Sequence, residues 1–287
     1  LETRKLSNLV SFEKSLNKIN SGVGFYFLAD NYAKGTLRKY TLNVQYAYTI
    51  DLNDKISVKS GVSGGFLMYQ KNNEQMIFPD QYNSFGLTGV NTNEPNASQN
   101  SIAPDLGLGM MLYGDNFWFG FNAQHLNRPK LSFYSDNTYM YPTKLSVHMG
   151  AKINLSETKY NRLYHSKIRK LLFPVLNYKL QGKHDQFETG IYGIYNVVLA
   201  GIYYRGVPFK KYESTLHNHE SLILQLGYNY HNNLHVSYSY DVVLSHLAGN
   251  TGGAHELNIT LSPVIPINKK KKITKKLPCP AFIQAEW

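Results

Sequence analysis

An alternation of apolar and polar residues recurs along almost the whole chain and constrains its fold more than any other feature. In YTLNVQYAYTID, residues 40–51, the apolar side chains of Leu42, Val44 and Tyr46 alternate with polar or small ones such as Asn43. Successive side chains of an extended strand point to opposite faces, so this period of two predicts a β-strand with one apolar face.

The same pattern predicts thirteen strands. They cover residues 5–16, 22–31, 40–51, 55–70, 104–113, 117–126, 144–155, 171–180, 187–195, 197–205, 220–230, 234–244 and 255–265. Most are longer than the roughly five or six residues usual in globular proteins. They match the roughly 9–11 residues with which a tilted strand crosses a bilayer. Helix signals are confined to residues 156–170.

The connections between these strands alternate in length. Short turns such as NKIN, DLND and GDN alternate with long polar connections at residues 71–103, 127–142, 206–219 and 245–254. Residues 156–170 and the brief QGKHDQ connection break the rule. Short periplasmic turns opposite longer extracellular loops indicate an antiparallel outer-membrane β-barrel, whereas a Greek-key sandwich lacks this two-sided regularity. An even strand number then predicts one further strand before Leu1 and about fourteen in all.

The composition agrees with a barrel, and the charge distribution separates this barrel from a basic C-terminal tail. Charged residues make up 17%, below the roughly 25% of soluble domains, and no apolar run has the length of a transmembrane helix. The net charge of +11 is concentrated in KKKKITKK. We therefore predict a barrel over residues 1–266 and a basic periplasmic tail over residues 267–287. The tail is either solvated or docks on an acidic protein or anionic lipid headgroups, and it does not bind nucleic acid.

Three stretches together resemble a known family. They are SGVGFYFLADNYAKGTLRKYTLNVQYAYTIDLNDKISVKSGVSGGF, APDLGLGMMLYGDNFWFGFNAQHLNRPKLSF, and GAHELNITLSPVI followed by PCPAF. Their order and spacing are similar to those of the PorP/SprF family of type IX secretion membrane proteins from Bacteroidetes. The most specific part is residues 104–129, with a Gly-alternating strand, a GDN turn, an aromatic strand and HLNRP.

The resemblance implies a non-enzymatic outer-membrane barrel without cofactor or catalytic residues. Members of the family serve either the periplasmic ring and motor or the export and surface attachment of large adhesins. We interpret this chain as a component of the secretion and gliding machinery that binds the C-terminal domain of an exported adhesin. The alternatives are an anchor of the periplasmic motor ring and a transporter for fatty acids or other hydrophobic solutes.

Two regions are predicted to bind partners. Loops 71–103 and 127–142 are the candidate surface for the exported protein, and the apolar part of the first loop is either a plug of the lumen or a partner-binding patch. The candidate surface residues are Met76, Ile77, Phe78, Tyr82, Phe85, Arg128 and Tyr134. The candidate periplasmic residues are Lys269, Lys270, Lys271, Lys272, Lys275, Lys276 and Cys279.

The aromatic strand FWFGFN predicts which face of the barrel meets lipid. Phe117, Phe119 and Phe121 are expected to contact the outer-membrane lipid. Trp118, Gly120 and Asn122 are expected to face the lumen, with the headgroup level as the alternative position of Trp118.

Two polar clusters receive structural interpretations. Asp105 and His125 lie at similar distances from the GDN turn, which predicts a lumenal hydrogen bond between adjacent strands and not a catalytic dyad. HNHE, residues 217–220, is interpreted as solvated loop residues and not as a metal site, because third-ligand geometry is not indicated. Cys279 is either a buried unpaired thiol or a bridge to another protein.

Overall fold

The computed structural model describes residues 5–72, 76, 78–92, 99–133, 140–155, 170–213, 216–230, 233–244 and 252–262. These residues form β-strands joined by turns, loops and short 3-10 helices. Within the described part of the chain, no helix has the length and apolar character needed to span a bilayer.

The strands follow one another in an antiparallel meander. They are β1 (Lys5–Leu16), β2 (Ser21–Tyr32), β3 (Leu37–Asp51), β4 (Ile56–Lys71), β5 (Tyr82–Asn83), β6 (Gly86–Leu87), β7 (Asn100–Gly114), β8 (Phe117–Gln124), β9 (Lys144–Ala151), β10 (Ile153–Asn154), β11 (Lys170–Gln181), β12 (His184–Tyr195), β13 (Val198–Glu213), β14 (Leu216–Tyr230), β15 (Leu234–Val243) and β16 (Ala254–Leu261). One 14-stranded sheet has the order β1-β2-β3-β4-β7-β8-β9-β11-β12-β13-β14-β15-β16, with β10 paired to β11, and β5 pairs with β6 separately. The predicted all-β antiparallel sheet of about fourteen strands is confirmed.

Each of the thirteen predicted segments overlaps one long strand of this sheet. The fourteenth strand of the sheet is the two-residue β10, which follows β9 and takes up the end of the predicted segment 144–155. The further strand expected before Leu1 lies outside the given sequence and stays a prediction.

The long connection predicted for residues 206–219 is wrong. Strand β13 continues to Glu213 and β14 begins at Leu216, with register shifts that begin at Gly206. Gly206 has φ +150°, and a Cβ atom there would lie 2.6 Å from the carbonyl oxygen of Asn218. The glycine therefore marks a β-bulge inside a long hairpin, where sequence reasoning assigned a loop. Residues 217–220 consequently lie on a strand and not on a loop.

The chain forms two compact units. The first comprises Leu1–Tyr48, Ser60–Leu108 and Ala123–Lys144, and the second comprises Thr49–Lys59, Gly109–Asn122 and Leu145–Trp287. The second unit has a buried apolar cluster, which consists of Tyr113, Trp118, Leu171, Phe173, Tyr192, Ile194 and Leu199. Buried residues of the first unit are mainly polar or charged and include Ser21, Asp30, Thr41, Asn43, Lys71, Asp105 and His125.

The distribution of side chains on the strands is the reverse of that in a water-soluble sheet. In β3, Thr41 and Asn43 are buried, whereas Leu42 and Val44 are exposed. In β14, Ser221 is buried while Leu224 and Leu226 are exposed. Apolar residues on the exposed face and polar ones on the buried face are the arrangement of strands that meet lipid outside and polar groups inside.

Candidate functional site

A buried ion-pair geometry joins two strands of the first unit. Nδ1 of His125, the residue after β8, lies 2.8 Å from Oδ1 of Asp105 in β7, and both side chains are buried. The imidazole N–H donates to the carboxylate. The hydrogen bond predicted from the GDN turn is confirmed. The pair fixes the end of β8 against β7.

The connection after β8 is fastened to the same place. The side chain of Asn127 donates to the carbonyl oxygen of Pro104 at 2.7 Å and accepts from the backbone N–H of Leu106 at 3.1 Å. Further along, the hydroxyl of Thr143 donates to the carbonyl oxygen of His125 at 3.2 Å. Both ends of this loop are thus anchored at one point of the sheet.

Tyr141 links this loop to the His125 anchor. Its backbone N–H donates to the carbonyl oxygen of Pro129 at 2.9 Å, and Lys130 and Met140 form an isolated β-bridge. The Tyr141 ring meets the His125 ring edge-on, with centroids 4.8 Å apart. The loop therefore folds back on itself over its anchor.

Two lysines lie against aromatic rings beside this loop. Nζ of Lys39 donates to Oη of Tyr141 at 3.3 Å and lies 5.3 Å and 5.7 Å from the ring centroids of Tyr141 and Tyr69. Nζ of Lys71 lies 5.2 Å from the ring centroid of Phe133. Each such cation–π contact contributes on the order of 0.5–2 kcal/mol, depending on desolvation. These contacts hold two positive charges at an apolar surface.

A cavity of about 300 Å³ adjoins these lysines, and we call it the aromatic cavity. Its walls are Leu37, Tyr69, Ser101, Leu131, Phe133 and Tyr141. The contributing segments are the starts of β3 and β7, the end of β4 and the loop after β8. A concave, mostly apolar surface with a few polar groups is the usual form of a ligand pocket.

The base of the connection between β4 and β7 is closed by backbone hydrogen bonds. The N–H of Lys71 donates to the carbonyl oxygen of Gln99 at 2.9 Å, and that of Asn72 donates to the carbonyl oxygen of Thr36 at 2.8 Å. These bonds extend the strand pairing to the ends of β4 and β7.

Residues 78–92 of this connection form an ordered turn and hairpin, which we call the apolar hairpin. Gln81 organises it, because its side chain accepts from the N–H of Phe78 at 3.0 Å and donates to the carbonyl oxygen of Val90 at 2.9 Å. The N–H of Thr88 donates to the carbonyl oxygen of Gln81 at 2.9 Å. Sequence reasoning did not predict this hairpin, whose strands β5 and β6 have two residues each.

The apolar hairpin presents large side chains to its surroundings. Phe85 is 99% exposed, and Tyr82, Leu87 and Val90 are each more than half exposed. Ordered apolar side chains grouped on an exposed hairpin are typical of a surface that binds a partner.

The structure describes only some of the other predicted surface residues. Met76 and Phe78 are half-buried, and Arg128 is exposed at a left-handed φ of +45°. Ile77 and Tyr134 lie outside the described residues. So do all of the predicted tail residues, namely Lys269, Lys270, Lys271, Lys272, Lys275, Lys276 and Cys279.

On β8, the exposed and buried faces follow the predicted alternation. Phe117 and Phe119 are exposed and Phe121 is partly so, whereas Trp118 is buried in the apolar cluster of the second unit. Contact of the three phenylalanines with lipid stays a prediction.

A separate polar network crosses the strands of the second unit. The guanidinium of Arg205 donates to Glu188 at 3.0 Å and to Asp241 at 2.6 Å, which links β13 to β12 and β15. Nearby, Oη of Tyr204 lies 2.5 Å from Nδ1 of His219. Among the residues that the structure describes, no group of three or more His, Cys, Asp or Glu side chains is arranged to hold a metal ion.

Long antiparallel strands in chain order, with apolar exposed faces and an organised set of loops, are the features of an outer-membrane β-barrel protein. Residues 4–261 match the family described as Type IX secretion system membrane protein PorP/SprF. The chain belongs to this family and is an outer-membrane component of the type IX secretion system. No curated protein matches the chain.

Proposed function

We propose that the protein is a non-enzymatic barrel that helps to export and anchor a large adhesin by binding the adhesin's C-terminal domain. The observation that carries this proposal is the apolar hairpin, residues 78–92, which is internally hydrogen-bonded and yet exposes Phe85 almost completely. Membership of a secretion-system family supports a secreted polypeptide as the partner.

The energetics favour a binding role for the exposed side chains. An exposed Phe, Tyr, Leu and Val contribute little to folding, because burial is what stabilises an apolar side chain. A preordered hairpin loses less conformational entropy when it binds than a flexible loop does. Aromatic anchors of this kind dominate the binding energy of many protein interfaces. Phe85 and Tyr82 are therefore the residues expected to contact the adhesin.

The test is affinity recovery of the tagged protein from native outer membranes in mild detergent, with partners identified by mass spectrometry. The double variant Tyr82→Ala and Phe85→Ala is expected to lower the recovery of the exported adhesin at least tenfold, since one hot-spot residue contributes about 2 kcal/mol or more and about 1.4 kcal/mol is a factor of ten. Leu52→Ala is the matched control, because Leu52 is an exposed apolar residue in the turn between β3 and β4. Undiminished recovery from the double variant contradicts the proposal.

The same experiment addresses the motor-ring alternative. Removal of residues 267–287 is expected to leave recovery of the adhesin unchanged. If the main partners are instead periplasmic ring components that disappear with the tail, the protein is a ring anchor and the adhesin proposal fails.

A further inference from the structure

We propose that the aromatic cavity binds an apolar residue with a free carboxylate, namely the C-terminal residue of an exported polypeptide, and that Lys39 provides the counter-charge. The ligand chemistry follows from the cavity walls and from the lysines that contact them. Its assignment to an exported polypeptide rests on the proposed function.

The walls of the cavity select an apolar group of limited size. Of the wall residues that the structure describes, three are aromatic, two are leucines and one is Ser101. The volume of about 300 Å³ is at the lower end of the range for ligand pockets. A single large apolar side chain with its main-chain atoms can occupy this space, and the palmitate competition described below distinguishes a peptide end from a fatty acid.

The positive charge beside the walls selects an anion. The ammonium group of Lys39 has three N–H donors. Among the described residues, it donates one hydrogen bond to a side chain, the phenol of Tyr141. Asp30 is opposite Lys39 in the β2–β3 register, but its carboxylate accepts from Ser7 at 2.5 Å and lies 3.5 Å from Nζ of Lys5. No ion pair of Lys39 is found within the described residues, so its ammonium group keeps donors for a ligand carboxylate.

A second positive charge strengthens this preference. Lys71 is buried, and its Nζ lies 5.2 Å from the ring of Phe133, which is one wall of the cavity. Because Lys71 makes other interactions as well, its charge adds to the positive potential beside the cavity, while the hydrogen bonds to a ligand carboxylate are assigned to Lys39.

The location of the cavity gives a peptide end access from the loops. Leu37 is the first residue of β3, Tyr69 is close to the end of β4, and Ser101 is close to the start of β7. The strand end at Lys71 also leads into the connection that contains the apolar hairpin. The cavity and residues 78–92 are thus joined by one connection of the chain.

Peptide binding to the full chain in lipid nanodiscs tests the proposal. The probe is a fluorescently labelled hexapeptide that ends in Phe, prepared with a free C-terminal carboxylate and as the C-terminal amide. The carboxylate form is expected to bind roughly tenfold more tightly, which corresponds to about 1.4 kcal/mol. Lys39→Gln is expected to remove this difference, and Lys39→Arg to retain most of it.

Lys18→Gln is the matched control, since it removes the same charge from an exposed residue of the Asn17–Ile19 turn in the same unit. Ser101→Trp is a second variant that fills the cavity and leaves both lysines in place; it is expected to abolish binding of both peptides. Heat-modifiable electrophoretic mobility verifies that each variant is folded.

Three results overturn the proposal: equal affinity for the carboxylate and the amide, undiminished carboxylate binding by Lys39→Gln, or undiminished binding by Ser101→Trp. Displacement of the peptide by palmitate at lower concentration than by unlabelled peptide also overturns it and assigns the cavity to lipid acids.

The experiments separate this inference from the proposed function. Carboxylate-dependent binding together with unchanged adhesin recovery from the hairpin variant contradicts the proposed function and leaves the ligand chemistry standing. If the hairpin variant loses the adhesin but the carboxylate and amide peptides bind equally, the proposed function stands and the inference about the cavity fails.

Discussion

The two compact units fill their buried faces in different ways. In the second unit, Phe173 is completely buried and stacks on Tyr192 with centroids 4.7 Å apart. In the first unit, the buried positions hold the Asp105–His125 pair, and the aromatic cavity adjoins Lys39. Strands with the same period of two can thus support a dense apolar cluster or a polar, partly open site. We expect stability to depend mainly on the first kind of packing and ligand binding on the second.

The largest effect is expected from truncation of the central aromatic residue of the second unit. Phe173→Ala removes a ring that is 0% exposed, and comparable substitutions cost about 3–5 kcal/mol through lost burial and the cavity that remains. Urea unfolding of the protein in lipid vesicles, followed by tryptophan fluorescence, measures the change. Phe117→Ala removes the same group from a side chain predicted to face lipid, where lipid chains fill the space that the ring leaves, and is expected to cost less because no cavity remains. Equal losses from the two variants would contradict the assignment of the apolar cluster as the stabilising core.

A glycine in each unit sharpens the comparison. A Cβ atom at Gly150 would overlap the indole ring of Trp118, whereas a Cβ atom at Gly64 would lie 3.7 Å from Cδ2 of Leu106, an ordinary contact distance. Overpacking of a well-packed site costs about 1–3 kcal/mol. Gly150→Ala is therefore expected to lower the unfolding free energy by that amount and Gly64→Ala to change it little. A neutral Gly150→Ala would mean that the Trp118 ring has room to move and that the cluster is loosely packed.

Loss of the Asp105 carboxylate is expected to affect the first unit locally. Asp105→Ala leaves the buried imidazole of His125 without its acceptor, at a cost of about 1–3 kcal/mol, whereas Asp105→Asn keeps an acceptor oxygen and should cost less. Because His125 anchors the following loop, we expect the alanine variant to be cut faster by trypsin after Lys130. The cleavage rate of the folded protein in vesicles measures this. Equal rates for both variants and the parent protein would show that the pair does not hold the loop.

The sheet was largely predictable, because its signal is local. Alternation of side chains identifies a strand from its own residues, so all thirteen long strands have predicted counterparts. The Asp105–His125 contact was predictable as well, since both residues are counted from one tight turn. Residues 206–219 were predicted to be a long connection, and glycine and proline do weaken strands, yet a β-bulge at Gly206 lets β13 continue to Glu213.

The binding features were less predictable, because they depend on distant residues. Lys39 and Tyr141 are 102 positions apart in the sequence, and neither belongs to a motif that indicates their contact. Trp118 was expected on the lumenal face, but its packing in a cluster with Leu171 and Phe173 requires knowledge of non-adjacent strands. Met76, Phe78 and Phe85 were predicted from the apolar character of a long loop. No local pattern indicates the hydrogen bonds of Gln81 that organise residues 78–92, or that Phe85 is exposed there while Met76 and Phe78 are half-buried.

The smallest effect on stability is expected from the most exposed aromatic residue. Phe85→Ala removes a ring that is 99% exposed, and surface substitutions of this kind change the unfolding free energy by about 0.5 kcal/mol or less. The same urea unfolding experiment provides the measurement, with Phe173→Ala as the reference for a buried ring. If Phe85→Ala costs more than about 1 kcal/mol, the ring is buried in the folded protein in its membrane and is unavailable to a partner. If Phe85→Ala leaves the unfolding free energy unchanged but lowers adhesin recovery, Phe85 serves binding and not folding, because its ring then contributes to the partner interface and not to stability.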